Sequence, residues 1–384
     1  MKVLSIGMDR RMFEEGSAVS ARQKEYAGKM DELHIIVFSL KKHNLKFKKI
    51  GNLYLYPANS SNRISFLFNA YRLGVKIIKQ NNFSSKNSVI SATDPMTVVA
   101  YVLSKRFRIP FQMEIHTDLY DRNFKNSLVT WKSFWYSGWV QVMLNRFLIP
   151  QADGLRVVSE QIKQSITKRF KNLKAEPDIL PVFVDVEKIF KQTATYYTPD
   201  RLPGSIIMVS RFTKEKRIDI GLGVFKKVID LQNKEVSLTI IGAGPEKRNL
   251  ESKIKELGIE DKAQILEWEN DVIAVYKKAD ILLVTSEYEG YGMTLIEAGA
   301  SGLPIVTTNV GIAKTDLFKN GENSFVCPVG DVDCLANSIV DLLEKPELRK
   351  LFKEKMQDSI KERAISKEEY VNNYVKLLEN LISQ

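Results

Sequence analysis

Apolar runs of strand length alternate along this chain with longer stretches in which apolar residues recur every three to four positions. That alternation predicts parallel sheets covered by helices on both faces. The first half predicts strands near Val3–Met8, His34–Ser39, Val89–Ala92, Phe111–Ile115 and Gly154–Val158. The second half predicts a further set near Ser205–Val209, Ser237–Ile241, Ala263–Leu266, Ile281–Thr285, Ile305–Thr307 and Ser324–Val326. Between the two sets, Glu176–Gly204 holds Pro177, Pro181, Pro199 and Pro203, the breaker density of a linker. The expected fold class is therefore α/β, with two doubly wound domains facing each other across a cleft. Beyond about Leu343 the pattern is helical, Pro346 restarting one helix and "ISKEEYVNNYVKLLENLI" forming an amphipathic last one.

Composition agrees with two soluble domains. The 384 residues exceed one ordinary core, and 44% hydrophobic with 27% charged residues is a globular balance. Fifty-seven Lys and Arg against 46 acids leave a net charge of +11, which suits an anionic partner: nucleic acid, an anionic membrane face or a phosphorylated substrate. The two cysteines, Cys327 and Cys334, lack zinc-site spacing, so a reducing compartment and no disulfide framework are expected. The apolar run in "MKVLSIGMDRR" is too short for a signal peptide, and no window approaches 18 apolar residues. A cytoplasmic location follows as the expectation, with peripheral membrane contact still open.

Candidate chemistry gathers where strands give way to helices. "ADILLVTS" is a buried strand ending at Ser286, and ligands of open α/β sheets bind beyond such ends. Glu289 comes next, then Gly290, Tyr291 and Gly292, whose flexible backbone can approach a ligand closely. The amides of Met293, Thr294 and Leu295 open a helix whose N-terminus suits phosphate. Glu297, one turn along the face of Met293, is within reach of a ribose on that phosphate. In "MVSRFTKEKRIDIGL", Arg211 follows a strand and Lys216 starts the next helix, a pair suited to a diphosphate leaving group. "IIGAGPEKRNLE" carries Gly242 and Gly244, half of a dinucleotide fingerprint, with Lys247 where the third glycine would stand.

Taken in this order, these residues resemble the retaining glycosyltransferases of family 4, also called glycosyl transferases group 1. That resemblance implies the GT-B fold, with two Rossmann-like domains at 1–185 and 186–360 and a C-terminal helix, 361–384, packing back on the first. It implies that Arg211 and Lys216 hold a donor diphosphate, Glu297 the ribose, and Glu289 with Gly290–Gly292 the donor sugar. Trp268 lies in the segment "ILEWEN" that binds the base in the family, with Glu267 where a glycine is usual. In the N-terminal loop, Gly16 stands alone where relatives often have two glycines. His116 in "FQMEIHTDLYDR" matches the family's active-site histidine, while His34 and His43 read as structural and Asp118 as a turn cap. The donor is expected to be a UDP- or GDP-sugar and the acceptor a glycan or polyprenyl-linked molecule. No metal is required, because cations and a helix N-terminus neutralise the leaving group. Asp331 and Asp333 read as helix capping rather than as metal ligands.

Trp131, Trp135 and Trp139 recur every four residues, forming one stripe if helical, extended by Val142, Met143 and Phe147 and flanked by Lys125, Lys132 and Arg146. The stripe reads either as core or as an interfacial helix on an anionic membrane. Two other functions compete: a sugar-nucleotide epimerase of the same shape, and a nucleic-acid-binding protein suggested by charge alone, without a binding module.

Overall fold

The computed structural model describes residues 1–93, 96–118, 120–121, 138–193, 204–232, 235–268 and 271–382. The chain divides into two compact units, Met1–Pro181 with Lys367–Gln384, and Val182–Ser366.

The first unit is built on eight strands: β1 (Lys2–Gly7), β2 (Glu32–Val37), β3 (Lys48–Ile50), β4 (Leu53–Pro57), β5 (Ser88–Thr93), β6 (Phe111–Ile115), β7 (Gly154–Val157) and β8 (Pro177–Ile179). Their order is β3-β4-β2-β1-β5-β6-β7-β8. All neighbours pair in parallel except the β3–β4 hairpin. The described helices between them are α1 (Ala18–Gly28), α2 (Arg63–Gln80), α3 (Thr97–Phe107), α4 (Gly138–Leu148) and α5 (Glu160–Arg169). Central strands such as β1, with Val3, Leu4 and Ile6 buried, are covered on both faces, which is why they read as near-continuous apolar runs. Crossover connections place helices against the sheet: α2 packs on α3 and α3 on α4, whereas α1 meets the C-terminal helix Lys367–Glu379.

Five strands of this sheet fall within two residues of their expected limits. β3, β4 and β8 were not expected. β3 and β4 are joined by a turn at Gly51 (φ 55°); β3, at the edge, carries the polar, basic sequence KKI, whereas β4, LYLYP, lies inside it with Leu53 and Leu55 buried. β8 sits inside the stretch expected as a linker, and its Pro177 is tolerated because the strand is the sheet's last. His34 is fully buried, stacked on Tyr54 at 4.4 Å.

The C-terminal helix is tied to the first unit by a buried polar cluster. Arg156 Nη1 donates to Glu114 Oε2 at 2.7 Å, and Tyr374 and Ser91 hydroxyls donate to Glu114 Oε1 at 2.8 and 2.9 Å. Arg156 Nη2 reaches the Tyr370 hydroxyl at 2.7 Å, and Tyr26 stacks on Tyr374 at 4.4 Å. Burial opposes ionisation of Glu114, yet Arg156 and the hydrogen bonds outweigh it and hold its pKa far below the carboxylate range.

The second unit has six parallel strands: β9 (Ser205–Val209), β10 (Ser237–Ile241), β11 (Ala263–Leu266), β12 (Ile281–Val284), β13 (Ile305–Thr308) and β14 (Phe325–Cys327). Among the described residues seven α-helices accompany them: α6 (Val186–Thr193), α7 (Ile218–Leu231), α8 (Lys247–Leu257), α9 (Val272–Tyr276), α10 (Met293–Ala300), α11 (Val332–Glu344) and α12 (Pro346–Lys361). α6 lies in the stretch expected as a linker. Strand order is β11-β10-β9-β12-β13-β14, so the chain runs outward from β9 to one edge, returns to β12 and runs outward to the other. A topological switch point therefore lies between β9 and β12.

Two local features shape this sheet. A Cβ on Gly242 would sit 1.9 Å from the Ser210 carbonyl oxygen, and one on Gly244 2.4 Å from that of Phe212. Both glycines hold positive φ, 154° and 159°, and let the loops after β9 and β10 lie against each other. At the far edge, Cys327 and Cys334 form a disulfide, with Cα atoms 5.8 Å apart. This corrects the expectation of no disulfide. A tight turn follows Cys327 at the end of β14, Asp331 caps α11 by accepting from the Cys334 amide at 2.9 Å, and that cap folds Cys334 back onto the strand end.

Gly242→Ala should destabilise the protein by more than about 2 kcal/mol in urea unfolding, because backbone rather than a movable side chain meets the new methyl.

Candidate functional site

The loops after β9 and β12 are joined into one surface at the switch point. The Thr285 hydroxyl, at the end of β12, donates to the carbonyls of Lys216 and Arg217 at 3.2 and 2.8 Å. The Glu287 amide donates to the Glu215 carbonyl at 2.9 Å, and the Thr308 hydroxyl to the Ser286 carbonyl at 2.6 Å. Lys216 precedes α7, after a 3-10 turn and a left-handed Arg217 (φ 47°), rather than starting the helix as expected.

On this scaffold Lys216 Nζ meets Glu289 Oε1 at 2.7 Å, and the Ser286 hydroxyl donates to the same oxygen at 2.8 Å. Lys216, Ser286 and Glu289 line a recess with Ser210, Gly292 and Thr294. The ammonium retains two further N–H donors and the carboxylate a second oxygen, so the pair can hold a ligand bearing both anionic oxygens and hydroxyls. Arg211 stands outside this pair, 72% exposed, with Glu215 at 3.6 Å. Its guanidinium is free to turn toward an anion.

The Gly290–Gly292 turn leads directly into α10. Gly292 adopts φ 105° at the N-cap, and the Ile312 amide donates to the Tyr291 carbonyl at 2.7 Å. Gly311 (φ 52°) permits that approach, since a Cβ there would lie 2.5 Å from the same carbonyl oxygen. Of the three amides expected to face phosphate, that of Leu295 is used internally, donating to Gly292 at 3.0 Å, and its side chain is core. This removes Leu295 from the anion-facing set: the cap turn closes on itself there. The amides of Met293 and Thr294 make no backbone hydrogen bond among the described residues.

Glu297 is one turn into α10. Burial alone pushes its pKa up to about 7, with no cation or donor offsetting the cost. Beneath it the Tyr276 hydroxyl is buried without a hydrogen bond of ordinary geometry among the described residues. Burial and then the Glu297 charge raise that phenol, against a smaller opposite effect of the Thr294 hydroxyl. A partly buried carboxyl with no cation beside it, next to a buried phenol, is suited to receive hydroxyl donors.

Other expected residues stand differently. Gly242 and Gly244 have a packing reason to be glycine. Trp268 is 51% exposed at the end of the β11 segment, free to stack on a planar ring. Gly16 (φ 81°) is exposed and precedes Ser17, which caps α1 through the Ser20 amide at 3.1 Å. In the first unit His116 follows β6, its Nε2 3.4 Å from Glu114 Oε2, while Asp118 caps the next turn by accepting from the Tyr120 amide at 2.8 Å. Trp131 and Trp135 lie outside the described residues, as does the Trp139 side chain. Sequence reasoning missed Ser286 and Glu114. Ser286 stands three residues before Glu289, a visible signal, whereas Glu114 reads as one alternation in a buried strand and gains its partners only through β7 and the C-terminal helix.

Residues 199–359 match the family described as glycosyl transferases group 1. N-acetyl-alpha-D-glucosaminyl L-malate synthase of Bacillus anthracis is 30% identical over 237 residues, 60% of this chain and 60% of that protein. A Campylobacter jejuni relative, named N-acetylgalactosamine-N,N'-diacetylbacillosaminyl-diphospho-undecaprenol 4-alpha-N-acetylgalactosaminyltransferase, is 25% identical over 57% of this chain and 60% of its own length. The match thus spans about three-fifths of each of these relatives. Among solved structures, sucrose-phosphate synthase of Thermosynechococcus elongatus superposes with TM-score 0.79 at 16% identity, over 100% of this chain and 99% of that one. Anabaena HepE, in complex with UDP and glucose, gives 0.72 at 17% identity over 100% of both chains. The fold is therefore GT-B, with both units Rossmann-like.

The raised Glu297 pKa sets a pH-dependent stability. Below about pH 4.5 the carboxyl is protonated whether the chain is folded or not, and it costs nothing; above about 7 it is ionised in both states and the penalty is complete. Glu297→Gln should therefore stabilise the unliganded protein on the order of 2 kcal/mol at pH 8 and by nearly nothing at pH 4, read as denaturation midpoints at the two pH values.

Proposed function

We propose that this chain, a member of the glycosyl transferases group 1 through residues 199–359, moves a sugar from a nucleoside-diphosphate sugar to a hydroxyl of a glycan or lipid-linked acceptor. The observation that carries the reading is the Lys216–Glu289 pair at 2.7 Å at the switch point, with Arg211 in the loop that carries Lys216 and Glu297 one turn into the helix that follows Glu289. Lys216 and Arg211 take the diphosphate, helped by the Met293 and Thr294 amides. Glu297 accepts from ribose hydroxyls, Tyr276 lying beneath it. Glu289 accepts from the donor sugar, and Trp268 stacks on the base. Gly16, Gly242 and Gly244 serve through backbone placement.

The reaction we infer retains configuration. The bond from the anomeric carbon to the leaving phosphate oxygen breaks as the acceptor oxygen attacks from the same face. The acceptor proton passes to that phosphate oxygen. Negative charge grows on the diphosphate, where Arg211 and Lys216 stabilise it without a divalent metal. His116 serves as a positioning group for the donor sugar. UDP-sugars are the first donors to test, since HepE binds UDP and the Bacillus anthracis relative is named for an N-acetylglucosaminyl product. The acceptor is placed at the cytoplasmic membrane face, with the Trp131, Trp135 and Trp139 stripe as one means of reaching it; among the described residues no helix is long and apolar enough to cross a membrane.

Arg211→Ala with Lys216→Ala should lower kcat/KM by about 10²–10⁴-fold, as lost charge-stabilising donors do. Full turnover by the double variant would sink the assignment of the diphosphate site. Turnover should persist in EDTA, and anomeric NMR should show an α-linked product from an α-linked donor. His116→Ala should reduce kcat while leaving nucleotide affinity within about twofold, because every side chain assigned to the nucleotide lies in the second unit, and Gly16 serves through its backbone. Equal loss of both would make His116 a residue of the fold.

A further inference from the structure

The net charge of +11 is not spread evenly. α2, α3 and α4 are neighbours on one side of the first unit's sheet, and none of them contains an Asp or Glu. Other surface helices mix their charges: α8 reads KRNLESKIKEL and α12 PELRKLFKEKMQDSIK.

The three acid-free helices present their cations with exposed apolar side chains at helical spacing. On α2, Phe68 is 61% exposed and is followed at four-residue intervals by Arg72 and Lys76, both exposed. On α3, Val102 is followed by exposed Lys105 and Arg106 at three and four residues. On α4, Met143 and Phe147, 57% and 58% exposed, flank exposed Arg146. Contacts run across the helices. Arg72 lies over the Phe68 ring, Arg106 Nη1 donates to the Tyr71 hydroxyl at 2.5 Å, Lys105 lies over Tyr101, and Tyr101 meets Phe147 edge-on at 5.6 Å. The inward faces, with Phe66, Ala70, Ala100 and Leu103 buried, are already spent on the core.

We propose that the outer face of α2, α3 and α4 docks on an anionic lipid bilayer. Among the described residues Phe68, Phe147 and Met143 are the three most exposed large apolar side chains, and they gather beside cations on helices without acids. A bilayer surface supplies both partners, lipid phosphates and carboxylates for the Lys and Arg, and the acyl boundary for Phe68, Met143 and Phe147. Nucleic acid fits less well, because the exposed apolar groups on α2 and α4 would stay wet against a phosphate backbone. The surface shares Met143, Arg146 and Phe147 with the tryptophan stripe and goes beyond it through Phe68, Arg72 and Lys76 on α2 and Val102, Lys105 and Arg106 on α3. It rests on the proposed transferase reading only for the location of the acceptor, and the test is run without donor, so its failure leaves sugar transfer untouched.

Co-sedimentation of the full chain with phosphatidylcholine vesicles, with and without phosphatidylglycerol, reads the proposal. Binding should require phosphatidylglycerol and weaken with salt. The variant Arg72→Glu, Lys76→Glu, Lys105→Glu should bind at least about tenfold more weakly, while Lys255→Glu, Lys350→Glu, Lys355→Glu, equal in charge change but in the second unit, should stay within about twofold of the parent. Phe68→Ser, Met143→Ser, Phe147→Ser should also bind more weakly, with thermal melts confirming that each variant is folded. Binding indifferent to phosphatidylglycerol, equal loss in the two charge variants, or full binding by the serine variant would overturn the proposal. So would an oligonucleotide that binds the parent and not the first variant while vesicles bind neither.

Discussion

Every strand of a parallel sheet must be re-entered from the same end, so all the loops that leave the strands gather at the opposite edge. In the second unit this constraint brings residues 73 positions apart, Lys216 and Glu289, to 2.7 Å. The reversal of strand order between β9 and β12 opens a crevice there, because the chain leaves the two strands toward opposite edges. Thr285, Glu287 and Thr308 then lock the loops with hydrogen bonds from strand ends, the most rigid anchors available. Recognition chemistry on such a base is positioned by the sheet rather than by the loops themselves.

The two units treat buried charge in opposite ways. Glu114 is fully compensated: Arg156, Tyr374 and Ser91 all reach it, and its ionised form is strongly favoured. That pairing joins β6, β7 and the C-terminal helix, and a half-exposed His116 leans on its edge at 3.4 Å. Glu297 has no such compensation, and its pKa rises to about 7. A carboxyl kept in this condition lowers the stability of the free protein, and ligand hydroxyls can relieve it. Lys216–Glu289 stands between these extremes, a close pair that still has unused donors and acceptor capacity for a ligand.

Charge at the surface follows another logic. Cations on α8 and α12 alternate with acids along each helix, whereas α2, α3 and α4 carry cations and exposed apolar groups without any acid. Net charge therefore understates how strongly one face of the first unit attracts anions, since the rest of the chain is closer to balance.

Much of this was legible in the sequence. The strands of the second unit were readable because both faces of a parallel sheet are buried and its strands appear as apolar runs of fixed length. Arg211, Lys216 and Glu289 stood out as candidates because turns after strands carry polar residues that the core cannot use, and Glu297 because it lies one turn into the helix that follows. Short edge strands such as β3 and β8 were not readable, since few of their side chains are buried and Pro177 argues against a strand until its edge position is known. Three matters were decided by tertiary structure alone. Glu114 gains its ion pair from Arg156, 42 residues on, and its hydroxyl partner from Tyr374, 260 residues on. Cys327 and Cys334 pair because the Asp331 cap folds a helix back onto a strand end. Glu297 is left unpaired by the packing around α10, and no local pattern states which carboxylates the fold will leave without a partner, because that depends on every element packed against them.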